Sequence, residues 1–335
     1  MHSFMVLARL ERNTVMNESS DPIFIVGCGR SGTTLMRLML NRHPRIAIPG
    51  ETWFFPDIDD MRTALASAPE HDWRATVAMR IEGCSTFPEL GVTREQIDDE
   101  LSRIPFTQWG NVLAVANLAF ARAEGKVRWG DKTPGYVRYL PLLKREFPTA
   151  VVIHMIRDAR DVAASFFEQP FGPKAPIEAA IYWKNDVSRG QRDGIPLFGN
   201  RYIEVRYEAL AADPEAELRR VLSHLHEDFD PVVLDQAPAA REYVIPEHHW
   251  HELTLKPVTK ARVARWRNKL SSREAQLVEL EAGALLRRLD YETDQRFSAP
   301  VLWEWIIDRL TRYSRRVVLN AKLAAYRAMK AGEGA

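Results

Sequence analysis

Apolar residues come along this chain in short, sharply bounded runs, separated by longer stretches with helical spacing. Pro22-Ile23-Phe24-Ile25-Val26 is one such run, closed by a glycine; Ala150-Val151-Val152-Ile153-His154-Met155-Ile156 and Tyr202-Ile203-Glu204-Val205-Arg206 repeat the form. Runs of this length bounded by turn residues read as strands buried on both faces. Helical patterns follow them: Thr33 to Leu40, Asp158 to Phe167, and a segment that Asp213-Pro214 opens as N-cap and first turn. Strands alternating with helices predict an α/β fold, a parallel sheet covered by helices on both sides. Residues 57–126 read as amphipathic helices and connecting loops, and Ser271 or Ser272 caps a helix that runs to Leu289. The expected layout is a flexible lead-in over 1–20, a main domain over 21–296 and a helical C-terminal extension over 297–335. In the extension Ile306, Leu310, Tyr313, Val317 and Ala324 share one face, with arginines elsewhere. That predicts a helix packed on the domain or on a partner subunit, as in a homodimer. The alternative is a basic membrane-surface helix over 301–330 carrying Trp303 and Trp305.

Composition narrows the classes of partner. The chain has 335 residues, 46% apolar and 27% charged, with ample material for a core. Its formal net charge of +1 offers no global field for nucleic acid, so any anion site must be a local concentration of donors. Two cysteines, Cys28 and Cys84, exclude a disulfide framework and a cysteine-based zinc site, and suit a reducing compartment. Arg9, Glu11 and Arg12 interrupt what would be the apolar core of a signal peptide, and no later stretch reaches the ~20 apolar residues of a membrane span. A cytoplasmic protein without a transmembrane segment is expected.

Between the first strand and its helix lies Gly27-Cys28-Gly29-Arg30-Ser31-Gly32-Thr33-Thr34. A glycine turn at a helix N-terminus presents backbone N–H groups to an anion. Gly29 and Gly32 permit unusual dihedrals, Arg30 adds a charged fork, and Ser31, Thr33 and Thr34 add hydroxyls. An ATP- or GTP-using loop has the pattern GxxxxGK[ST]. Gly27 and Gly32 keep that spacing, but Thr33 stands in the lysine position and the cation comes earlier, at Arg30. The loop alone leaves the class of nucleotide open, and an ordinary glycine turn is a further reading. A second anchor follows the strand ending at Ile156. Arg157 stands at the carboxyl edge, where open parallel sheets bind ligands, and Ser165 lies two helical turns on. Together they would hold a second phosphate; the alternative for Arg157-Asp158-Ala159-Arg160-Asp161 is a set of surface ion pairs.

These two motifs, in this order and on these elements, resemble those of the sulfotransferase superfamily that uses 3′-phosphoadenosine 5′-phosphosulfate (PAPS), over about residues 22–292. The resemblance implies the sulfotransferase fold, with a P-loop-type sheet. It implies that Arg30, Ser31, Gly32, Thr33 and Thr34 hold the 5′-phosphosulfate, and Arg157 and Ser165 the 3′-phosphate. Within the superfamily the chain is most similar to tyrosylprotein sulfotransferases and related bacterial enzymes, through Arg30 to Arg37, His43-Pro44 and Glu51-Thr52. That likeness implies Glu51 as catalytic base and Lys132, in Asp131-Lys132-Thr133-Pro134, as the residue stabilising the transition state. It also implies nucleotide contacts from Tyr207 and from a C-terminal loop with Lys256 and Arg265. Pro49 stands where that subfamily has a cysteine, and Trp53 where it has an arginine two residues after the base.

Residue chemistry agrees with those roles. A buried carboxylate can take the acceptor's proton, and fixed cations can neutralise the departing phosphate, so no metal is expected. A kinase, or a non-catalytic nucleotide-binding protein of the same fold, is the alternative. The acceptor is a hydroxyl on a small molecule, saccharide, lipid or peptide. His248-His249-Trp250-His251 reads as a site-lining loop rather than a metal centre, Cys28 as a small filler, and Trp53, Phe54 and Phe55 as acceptor pocket or core.

Overall fold

The computed structural model describes residues 21–55, 73–104, 109–243, 255–256, 258–294 and 296–332. The proposed lead-in, part of the 57–126 helical stretch and the histidine cluster at 248–251 lie outside them. The chain divides into two compact units, one made of Met1–Arg157 and Asn185–Val263, the other of Asp158–Lys184 and Ala264–Ala335.

The first unit is built on five parallel strands: β1 (Ile23–Gly27), β2 (Ile46–Ala47), β3 (Arg128–Lys132), β4 (Val151–Ile156) and β5 (Tyr202–Arg206), in the order β2-β3-β1-β4-β5. The expected runs form β1, β4 and β5. Side chains alternate across the sheet as the two-residue period requires. Ile23, Ile25, Ile153, Met155 and Val205 pack under the helices Thr33–Asn41 and Pro214–His224, where Asp213 caps the second as expected. Phe24, Val26, Trp129, Val152 and Tyr202 face the helices Trp73–Glu82, Arg94–Arg103 and Trp109–Ala123.

Two strands were not legible as strands. β2 is only two residues long, and β3 reads Arg-Trp-Gly-Asp-Lys, yet every residue of β3 is buried. Its polar ends are satisfied locally: Arg128 bonds Leu225 O and pairs with Glu227, while Asp131 and Lys132 find partners described below. β1 is the central strand, with β3 on one side and β4 on the other. The register sets Ile25 beside Lys132 and Gly27 beside Met155. The carboxyl ends of these three strands therefore open on one edge of the sheet.

The second unit is helical. Asp158 caps the helix Ala159–Phe167 through Arg160 N, and Ser271 caps Ser272–Arg288 in a reciprocal capping box with Glu274. A 34-residue helix, Ala299–Gly332, follows. Against its own unit it does not use the face expected. Val301 and Trp305 meet Ile177, Ile181, Leu277 and Leu280, whereas Leu310 and Tyr313 are exposed.

Candidate active site

At the end of β1 the chain turns through Arg30 in the left-handed region (φ 69°) and Gly32 (φ 93°), then enters the helix Thr33–Asn41 with no described side chain capping it. Gly32 is required twice over. A Cβ there would lie 2.6 Å from the ring of Tyr207, besides facing the positive φ. Ser31 is fully buried, and its Oγ has no protein partner among the described residues. A buried hydroxyl without a protein partner, in a glycine turn at a helix N-terminus, fits a bound phosphate or sulfate oxygen.

Arg157, the residue after β4, ties this turn to its surroundings. Its guanidinium donates to Arg30 O at 3.3 Å and to Arg262 O at 2.8 Å, and it stacks 4.3 Å from the centroid of Tyr207. Three expected nucleotide residues, Arg30, Arg157 and Tyr207, are thus assembled around Gly32. Lys256 is exposed, its carbonyl held by Gln236 at 2.7 Å. Ser165 and Arg265 belong to the second unit: Ser165 is half-buried in Ala159–Phe167, and Arg265 reaches Glu168 at 3.3 Å. In place of surface ion pairs, the Asp158-Ala159-Arg160 stretch forms a buried cluster, with Arg160 between Asp158 and Glu279 at 2.6 Å from each.

The other half of the site stands at the carboxyl end of β3. Lys132 Nζ meets Glu51 Oε1 at 2.5 Å, and the indole N–H of Trp53 donates to Glu51 Oε2 at 2.8 Å. Each oxygen of the carboxylate therefore has its own donor. Burial pushes the Lys132 ammonium down, and Glu51 opposes that shift. Arg37 is a second buried cation in the field of Glu51, lowered to about 10 by burial; its guanidinium donates to Tyr243 O at 3.1 Å. Sequence reasoning gave Arg37 no role of its own.

The placement of Glu51 rests on a buried relay that the sequence did not reveal. Phe54 N donates to the Tyr136 hydroxyl at 2.7 Å, that hydroxyl is 2.6 Å from Thr52 Oγ1, and Thr52 Oγ1 donates to Asp131 Oδ2 at 2.6 Å. Thr133 Oγ1 accepts from Thr52 N at 3.1 Å. The segment 51–54 is thereby fastened to the end of β3, and Trp53 is held at a positive φ of 54°. Gly135 leaves room for its indole: a Cβ there would lie 2.7 Å from the ring. Phe54 and Phe55 are core, whereas Trp53 is 37% exposed beside the carboxylate. Cys28 is fully buried and its thiol pushed well up by burial, in keeping with a filler.

Residues 22–231 match the family model described as "Sulfotransferase family". The chain belongs to the sulfotransferase family. Protein-tyrosine sulfotransferase A of Caenorhabditis elegans is 26% identical over 298 residues, covering 86% of this sulfotransferase and 72% of the relative. The nodulation protein NoeE of Sinorhizobium fredii is 27% identical over 300 residues, 80% of this chain and 65% of that one. In fold, the sulfotransferase domain of the Synechococcus PCC 7002 olefin synthase matches with a TM-score of 0.57 at 22% identity, over 83% of this chain and 98% of that domain. The expected α/β fold and superfamily are therefore correct. Among the described residues no helix is long and apolar enough to cross a membrane.

Proposed function

We propose that this sulfotransferase transfers a sulfuryl group from PAPS to an acceptor hydroxyl, with Glu51 as general base and Lys132 as the cation for the leaving group. The observation that carries the reading is the 2.5 Å contact between Lys132 and Glu51 at the carboxyl end of β3, the strand beside the one that feeds the phosphate turn. A base and a cation for the leaving group stand together at the sheet edge where ligands of open parallel sheets bind.

PAPS supplies an activated sulfuryl group, whose bond to a phosphate oxygen breaks as the acceptor oxygen bonds to sulfur. Glu51 takes the acceptor's proton, acting through a carboxylate that Lys132 and Trp53 hold in one orientation. Lys132 and Arg30 meet the negative charge on the departing phosphate, with hydrogen bonds from Thr33 and Thr34 and from the backbone N–H groups of the turn. Lys132 is divided between these tasks. With Glu51 as its partner it neutralises the base; drawn toward the leaving group, it releases Oε1 to accept a proton. Arg157 and Ser165 are assigned to the 3′-phosphate, Tyr207 to the nucleotide, and Lys256 and Arg265 to the loop over it. One relative is named for protein tyrosine as its acceptor, but here a neutral indole, Trp53, and not a cation, stands two residues after Glu51 and bonds it.

Glu51→Gln tests the base. Turnover with any accepted hydroxyl should fall by roughly 100-fold or more, while 3′-phosphoadenosine 5′-phosphate (PAP) still binds in calorimetry. Unchanged turnover would remove Glu51 as base. ATP binding tighter than PAP would point instead to a kinase.

A further inference from the structure

The helix Ala299–Gly332 uses a mixed polar and apolar face to reach the rest of its unit. Val301 is buried and Trp305 half-buried in the cluster with Ile177 and Leu277. The Trp305 indole donates to Glu281 at 3.1 Å, Arg312 reaches the same carboxylate at 3.0 Å, and Glu304 pairs with Arg273. Positions 301, 305, 308 and 312 thus form the inward stripe. At 100° per residue the opposite side carries Trp303, Ile307, Leu310 and Tyr313, which are 64%, 61%, 61% and 69% exposed. Four large apolar side chains in successive turns of one helix make a contiguous patch, not the scattered exposure ordinary on a soluble surface. In the sequence the same phase continues with Val317, Ala321, Ala324 and Ala328.

Charge identifies what covers this face. Between Arg309 and Lys330 the sequence has seven arginines and lysines and no acidic residue, in a chain whose formal net charge is only +1. At the same spacing none of the seven falls on the side of Trp303, Ile307, Leu310 and Tyr313; they rim that face or lie behind it, the arrangement of a helix that lies on a bilayer surface. An anionic lipid surface takes both features at once, apolar side chains into the headgroup–acyl boundary and cations onto the headgroups. We propose that this helix lies in the plane of a bilayer rich in anionic phospholipid and docks the protein on it peripherally. It lies on the surface and does not cross it, since it is too polar for a span. The proposal does not depend on the assignment of the active site.

Flotation of the full chain with vesicles tests it, comparing phosphatidylcholine alone with phosphatidylcholine containing phosphatidylglycerol. Binding to the anionic vesicles should be at least tenfold stronger, and 0.5 M salt should weaken it at least several-fold. Ile307→Glu with Leu310→Glu should abolish it, with a thermal midpoint close to that of wild type, because both positions are exposed. Arg309→Glu with Arg315→Glu should remove the preference for anionic lipid. Absence of binding to either vesicle would overturn the proposal. So would a wild-type dimer that the apolar double variant converts to monomer without any lipid binding, which would make the face a subunit interface.

Discussion

Asp131 accepts the hydroxyl of Thr52 from a position 1% exposed, and burial pushes its pKa up to about 6 from 3.8, with bonds from Thr52 and Thr133 and the charge of Lys132 pulling the other way. The neutral acid is the form that folding favours. Between about pH 4 and pH 6 the folded chain keeps a proton that the unfolded chain has released, so stability falls as pH rises through that window. By pH 7 the loss from this one group is about 3 kcal/mol. Asp131→Asn removes the titration. The difference in urea-unfolding free energy between wild type and variant should shift by about 2.4 kcal/mol between pH 4 and pH 8, toward the variant at high pH. An offset at pH 4 is expected, because the amide N–H₂ replaces an oxygen. A difference independent of pH would show that Asp131 does not hold the proton. The residue matters because the relay from Phe54 through Tyr136 and Thr52 ends on it, and that relay holds the loop bearing Glu51.

The helix Ala159–Phe167 shows how an element can be legible while its chemistry is not. Its start was readable from the helical pattern that begins at Asp158, and the structure makes Asp158 its N-cap. The alternative to a phosphate anchor in this stretch was a set of surface ion pairs, but Arg160 is buried. Arg160 bonds Asp158 and Glu279 and lies 4.1 Å from the centroid of Trp266. Glu279 is distant in sequence, so no local pattern reveals that pairing. Arg160→Met would leave two buried carboxylates without their cation and should cost roughly 3–5 kcal/mol in urea denaturation. A loss under 1 kcal/mol would mean that the cluster is effectively solvated. β3 failed to read as a strand for a related reason. Its polar residues look wrong for a buried strand until Glu51, Thr52 and Glu227 are brought beside them. The strands that were legible, β1, β4 and β5, are those whose buried side chains are mainly apolar; the exception, His154 of β4, bonds the Tyr202 hydroxyl of β5 at 2.6 Å.

At the scale of the whole molecule, the near-neutral net charge means that no general field draws a nucleotide in, and affinity must come from the assembled donors. The sequence placed those donors at strand ends through the phosphate turn and Arg157. It could not show that Arg157 bonds Arg30 O and stacks on Tyr207, because the three residues are distant in sequence. Binding to the folded chain stabilises it by RT ln(1 + [L]/Kd), which is about 2.7 kcal/mol at one hundred times Kd and about 4 °C in melting temperature for a chain of this size. PAP should produce that shift and AMP at the same concentration much less, since AMP lacks the 3′-phosphate assigned to Arg157. EDTA should leave the shift unchanged. In Arg157→Ala the advantage of PAP over AMP should disappear, because the removed guanidinium is the proposed contact to the phosphate that distinguishes them. Equal shifts from PAP and AMP in wild type would contradict a 3′-phosphate site. A larger shift from ATP with magnesium than from PAP would contradict PAPS as donor, since a site for a γ-phosphate and its metal would then outweigh the one for a 3′-phosphate.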